Sequence, residues 1–175
     1  MVRTTSSDDF LLPSNRQKIC EQIFKVIETE ATISRNLLSK SVLAAWGISR
    51  LGTRLSAQFE TLFLSLQLKT ARYNSNVFFR KEDQDPLHYD MYRVHKTEAD
   101  KREAEDLCPD EVANAVKHIV TNQISLSKEE LLRETAKISG CARIGNNVEQ
   151  AMMKGIEAAI KKGFVREANR RVVSV

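Results

Sequence analysis

The chain has 175 residues, 42% of them apolar and 29% charged, with a formal net charge of +4. That length fits one or two domains, and six glycines and three prolines exclude a low-complexity or collagen-like chain. No apolar run reaches the length of a membrane span, the first nine residues hold no hydrophobic signal core, and Cys20, Cys108 and Cys141 are too few and too far apart for a disulfide framework. The expectation is a cytoplasmic globular protein without membrane contact.

Residues 1–13 read as a flexible lead-in ending at Pro13. Ser14 can cap a helix to about Thr29, with Ile19, Ile23, Val26 and Ile27 on one face at helical spacing. Ala31-Thr32-Ile33 is a short β-prone bridge. Ser34 caps a second helix that turns Leu37, Leu38, Val42, Leu43 and Trp46 inward and stops at Gly47, where a left-handed C-cap is easiest for glycine. Ser49 can cap a third helix, from about Arg50 to Leu68, with Leu51, Leu55, Phe59, Leu62, Phe63 and Leu66 as its stripe. The period then changes. Ala71 to Phe79 reads as a hairpin around Asn74-Ser75-Asn76, with one of Phe78 and Phe79 turned inward.

Residues 81–106 form an acidic linker that partly folds over the modules, with five Lys/Arg against nine Asp/Glu. After it the pattern starts again over residues 107–175. Pro109-Asp110-Glu111 open a helix to about Asn122, where acids suit the N-terminus. Ile124-Ser125-Leu126 is the bridge. Ser127 with Glu130 is a capping box for a helix ending at Gly140. A third helix runs from about Arg143 to Lys162, and a second hairpin turns near Ala168-Asn169.

The two stretches share one period. Gly47-Ile48-Ser49-Arg50-Leu51-Gly52 recurs as Gly140-Cys141-Ala142-Arg143-Ile144-Gly145, an offset of 93 that also lays Ile19, Ile23 and Ile27 on Val112, Val116 and Val120. The fold class expected is mainly α with short β-hairpins: a winged-helix-like domain at 14–80 and another at 107–175. Both are basic, with ten Lys/Arg against four Asp/Glu in 14–80 and eleven against eight in 107–175. Basic modules attract polyanions.

Arg50 and Arg143 admit two roles. Either could contact a phosphate, or could bond the carbonyls that end helix two; recurrence among small neighbours favours the structural role. Gly47, Gly52, Gly140 and Gly145 are turn and close-packing positions. Arg54 is the better contact candidate, with Asn147 in its place in the second copy. Arg72 and Arg80 on the first wing, and Arg166, Arg170 and Arg171 on the second, complete the candidate nucleic-acid-binding set. Charge on an edge strand also serves simply to prevent aggregation. His88, His95 and His118 show no ligand spacing, so neither metal nor cofactor is expected. Trp46 reads as a core plug.

The doubled Gly-x-x-Arg-x-Gly, with VIETEATISRNLL before the first copy and CPDEVANAV opening the second, resembles a bacterial domain of unknown function. That domain lies at the C-terminus of large superfamily-1 DNA helicases, behind a helicase core and an endonuclease domain similar to very-short-patch repair enzymes. The resemblance covers about residues 14–167. It implies a non-catalytic accessory module that holds duplex or forked DNA beside helicase and nuclease domains. The chain has no Gly-x-x-x-x-Gly-Lys-[Ser/Thr] phosphate loop, so no enzyme activity is expected of it. The alternative is a protein-interaction module, which calls for an exposed apolar patch on helix three or the linker.

Overall fold

A computed structural model describes residues 6–94, 96–97, 101–141 and 143–175. Residues 1–5 of the expected lead-in, His95, residues 98–100 of the linker and Ala142 of the second turn lie outside the described residues. The chain divides into two units, Met1–Asp83 and Gln84–Val175. Among the described residues no helix is long and apolar enough to cross a membrane.

In the first unit a short helix α1 (Ser7–Phe10) precedes α2 (Arg16–Glu30), β1 (Ile33–Ser34), α3 (Arg35–Ala44), α4 (Thr53–Leu66), β2 (Thr70–Tyr73) and β3 (Asn76–Phe79). The second unit has α5 (Pro109–Gln123), β4 (Ser125–Ser127), α6 (Lys128–Ile138), α7 (Asn146–Lys161), β5 (Val165–Ala168) and β6 (Arg171–Ser174). Both sheets are antiparallel with the last strand in the middle, in the orders β1-β3-β2 and β4-β6-β5. Ile33 pairs with Phe79, and Leu126 pairs with Val172. This is the element and strand order of a winged helix, formed twice. The first residues of α2, α3 and α4 map onto those of α5, α6 and α7 at the offset of 93, from Arg16 to Pro109, Arg35 to Lys128 and Thr53 to Asn146.

The same local chemistry sets the same boundaries. Ser34 and Ser127 are extended N-caps whose hydroxyls accept from the amides of Leu37 and Glu130. At the far end of helix two, Gly47 (φ +69) and Gly140 (φ +82) take left-handed backbone. Paired bonds then close the turn: Ile48 N–H to Leu43 C=O with Gly47 N–H to Ala44 C=O, and Cys141 N–H to Ala136 C=O with Gly140 N–H to Lys137 C=O.

The cores differ. Unit one is filled by a run of rings: Trp46 against Phe10 (5.2 Å between centroids), Phe10 against Phe59 (5.5 Å), Phe59 against Phe63 (5.5 Å) and Phe63 against Phe79 (4.7 Å). Trp46, the core plug expected, also donates its indole N–H to Gln22 Oε1 at 2.6 Å. Unit two uses Val112, Val116, Ile119, Leu131, Met152, Ile156 and Ala159 instead. There α7 lies directly on α5, because a Cβ on Gly155 would stand 2.1 Å from Val112 Cγ1. At the matching positions unit one holds Leu62 and Ile19, both fully buried, so a whole side chain separates its helices.

Several boundaries differ from expectation. Residues 6–10 of the expected flexible lead-in are structured, because Ser6 and Asp9 form a capping box and Phe10 is fully buried in the core. Helix three starts at Thr53 and Asn146, with Gly52 and Gly145 as N-caps, not near Arg50 and Arg143 with Ser49 as the cap. Residues 48–52 stay outside the helix because Ile48 and Leu51 pack against the core. Phe78 and Phe79 are both buried, at 1% and 2% exposure, so both faces of β3 are covered.

From Gln84 onward the linker belongs to unit two, where it straps α5. Glu111, 3% exposed, accepts from both Arg102 Nη atoms (2.9 Å each) and from the Arg93 amide (2.8 Å). Asn114 Nδ2 donates to Met91 C=O at 2.9 Å, and Lys162 bridges Asp110 (2.8 Å) and Pro86 C=O (3.3 Å). Asp110 and Glu111 are therefore buried partners of the strap as well as N-terminal acids. Their counterparts on α2, Gln17 and Lys18, stay exposed.

Gly155→Ala drives a methyl into Val112 and is expected to cost about 1–3 kcal/mol, lowering the melting midpoint of unit two by roughly 5–20 °C at its length. Adding Val112→Ala restores only part of this, since Val112 Cβ itself lies 2.4 Å from the new methyl. An unchanged midpoint in scanning calorimetry would exclude the close crossing.

The Glu130 carboxylate is held below its usual range by the Ser127 amide first, then by the Ser127 hydroxyl and Arg171. A lowered folded-state pKa contributes stability that is complete above the ordinary value of 4.5 and is lost as pH falls through the folded value. Wild type should therefore exceed Glu130→Gln in midpoint at neutral pH, and the gap should close as pH falls through the lowered folded-state value. A gap independent of pH in thermal melts would exclude the ionic contribution.

Candidate nucleic-acid interface

Each unit presents two sets of candidate side chains, one at the turn between helices two and three and one on the wing. At the turn, the left-handed glycine reverses the chain and the second glycine caps helix three without a side chain. Neither Gly52 nor Gly145 can supply a capping oxygen, and among the described residues no other side chain caps α4 or α7. The leading amides of these 14- and 16-residue helices thus remain open, at the positive end of the helix dipole.

Beside those open amides stand Arg50 and Arg143, both exposed. Neither makes a hydrogen bond or ion pair within the described residues. The carbonyl-binding role favoured from sequence does not occur, because the paired bonds at Gly47 and Gly140 already close the ends of α3 and α6. Arg54 is the second residue of α4, with a side chain 77% exposed and 3.3 Å from Asp8 Oδ1. Asn147, second in α7, donates to Glu105 Oε1 at 2.9 Å.

On the wings the set divides. Arg72 on β2, Arg166 on β5 and Arg170 in the second hairpin turn are exposed. Arg170 and Asn169 take left-handed backbone (φ +61 and +52), which points the turn outward as in a tight two-residue hairpin. Arg171 is exposed but engaged: Nε donates to Ser125 Oγ (3.1 Å), Nη2 donates to Ser125 C=O (3.0 Å), and Glu130 lies at 3.8 Å. Arg80 falls out of the set. It is 3% exposed, since it directly follows the buried run Val77-Phe78-Phe79 and its amide is bonded to Lys69 C=O at 2.9 Å.

In unit two, turn and wing do not merge into one cluster. The wing base is tied to β4 by Arg171 with Ser125 and to the start of α6 by Lys128 with Glu167. Arg143 lies past the other end of that 11-residue helix, about 16 Å away along its axis. Unit one adds cations that the sequence reading did not single out. From 35 to 66, Arg35, Lys40, Arg50 and Arg54 face one carboxylate, Glu60, which pairs with Arg35. Their signal was a local charge count, taken over helices two and three alone.

Metal or nucleophile chemistry has little to build on. Among the described residues no three His, Cys, Asp or Glu side chains converge as a metal site. Burial, the largest influence, raises the Cys141 thiol above its ordinary range and disfavours a reactive thiolate.

Residues 8–57 match a family described as a protein of unknown function (DUF3320), a span holding α1 to α3, the first glycine-arginine turn and the start of α4. No curated protein and no solved structure matches the chain. What is similar to that family is therefore the helix-turn-helix of unit one, including the arginines at the head of α4.

Proposed function

We propose that the chain is a nucleic-acid-binding accessory module, with DNA as its expected polyanion, and that the two glycine-arginine turns seat backbone phosphates. One observation carries this reading. In both units an exposed arginine with no partner among the described residues precedes an uncapped helix N-terminus by three residues. A cation at the positive end of a helix dipole costs stability, by about 0.3–1 kcal/mol, so folding alone does not account for it. A phosphate at that point satisfies the open amides, the dipole and the arginine together.

The reading assigns Arg50, Arg54 and Arg143 to the turns, and Arg72, Arg166 and Arg170 to the wings as separate backbone contacts. Contacts of this kind set register and orientation rather than sequence preference. Unit one is the stronger half, because its helices two and three carry a single carboxylate. The wider assignment, an accessory part of a DNA helicase-related protein, rests on the resemblance of the doubled turn to helicase tails.

Protein docking is the second reading. Leu64 on α4 is 79% exposed, and Leu87 and Met91 of the strap are 78% and 69% exposed. These are the positions where an apolar docking surface was expected.

Fluorescence anisotropy with labelled duplex, single-stranded and forked DNA at two salt concentrations separates the readings. Arg50→Ala with Arg143→Ala should weaken binding to all three and flatten the dependence of log K on log salt by roughly 2, since each phosphate no longer neutralised on a duplex lowers the slope by about 0.9. Equal affinity and slope in wild type and the double variant would remove the turns from the interface. An absence of binding by wild type at low salt would favour the docking reading.

A further inference from the structure

The second residue of helix three is engaged in both units by a carboxylate from the turn that precedes helix one. In unit one, α1 brings Asp8 Oδ1 to within 3.3 Å of Arg54. In unit two, the single helical turn Ala104–Asp106 brings Glu105 Oε1 to 2.9 Å from Asn147. The two lead-in turns do not share a sequence register, yet they deliver the same chemistry to the same place.

Both turns are anchored apart from the acid they carry. Ser6 and Asp9 cap α1, Asn15 Nδ2 donates to Asp9 C=O at 2.7 Å, and Phe10 sits between Trp46 and Phe59. Ala104 and Leu107 are buried in unit two, at 8% and 5% exposure, while Glu105 is exposed. The carboxylates are thus held at the heads of α4 and α7 without contributing to the core.

We infer that Asp8 and Glu105 are built-in anions that engage the side chains of Arg54 and Asn147, so that a phosphate reaching either side chain must first displace a carboxylate. The inference rests on the nucleic-acid reading for its biological ligand. Its chemistry is the competition of two anions for one side-chain donor, the Arg54 guanidinium or the Asn147 amide. The contacts are exposed, so each holds its site weakly: displacement lowers affinity without abolishing it, and adding a charge to or removing one from the lead-in tunes binding.

The test uses the full chain with Asp8→Asn, Glu105→Gln and their combination. Glu28→Gln serves as a charge-matched control on α2, where Glu28 is exposed and makes no hydrogen bond or ion pair within the described residues. Two ligands are titrated: labelled duplex DNA by anisotropy, and inorganic pyrophosphate by amide NMR of residues 53–56 and 146–149. Each single variant should tighten binding about 1.5- to 5-fold beyond the control, the range of an exposed ion pair. The combined variant should approach the product of the two.

Gains no larger than that of Glu28→Gln, with both ligands, would overturn the inference. If no protein binds DNA while pyrophosphate binds the Asp8 and Glu105 variants more tightly than wild type, the competing anions stand and the nucleic-acid reading falls. A pyrophosphate gain seen at amides away from the heads of α4 and α7 would also overturn it.

Discussion

The reversal at Gly47 and Gly140 is the constraint on which each unit depends. A residue with a Cβ is strained at φ near +70 or +80, yet only that backbone turns the chain off the end of helix two within one residue. The reversal sends Ile48 and Leu51 back onto the core of unit one and sets where helix three begins. It also leaves a short segment that belongs to neither helix, and the free arginine stands on it. Fold and candidate site are therefore one piece of geometry: the glycine that ends a helix also exposes the head of the next.

The two units use that geometry over different interiors. Rings fill the first, from Trp46 to Phe79, and hold its helices a side chain apart. Small and aliphatic residues fill the second and let α7 rest on α5 at Gly155. The strap explains a further asymmetry. Arg93, Arg102 and Met91 from the strap bond α5 at Glu111 and Asn114, whereas Gln17 and Lys18 on α2 meet solvent. Duplication kept the frame and its caps, and each copy then solved its packing separately.

What was legible in the sequence was local. Ser34, Ser127, Gly47 and Gly140 act within a few residues of themselves, so their types and spacing marked the ends of helix two in both copies. The hairpins announced themselves by a change of period. What was not legible depended on distant partners. Arg80 reads as a wing cation, yet it is buried behind Phe79. Phe10 opens the short apolar run Phe10-Leu11-Leu12, and nothing near it signals the place between Trp46 and Phe59 that it fills. Glu111 reads as an ordinary first-turn acid, and only Arg102 and Arg93 reveal it as an interior one. At the candidate site, the arginine positions were visible, whereas Asp8 and Glu105 reach it only through the fold of the lead-in turns.

The contrast between Gly155 and Leu62 bears on how a tandem chain avoids assembling with the wrong half of itself. Adjacent copies of one fold risk exchanging equivalent helices while they fold, a failure characteristic of repeat proteins. Were α4 to settle on α5 in place of α7, Leu62 would come where even a methyl lies 2.1 Å from Val112. Were α7 to settle on α2, Gly155 would leave a void against Ile19 the size of the missing leucine. Each helix fits its own neighbour and is rejected by its sibling's, so divergence of the two interiors itself keeps the copies from crossing over.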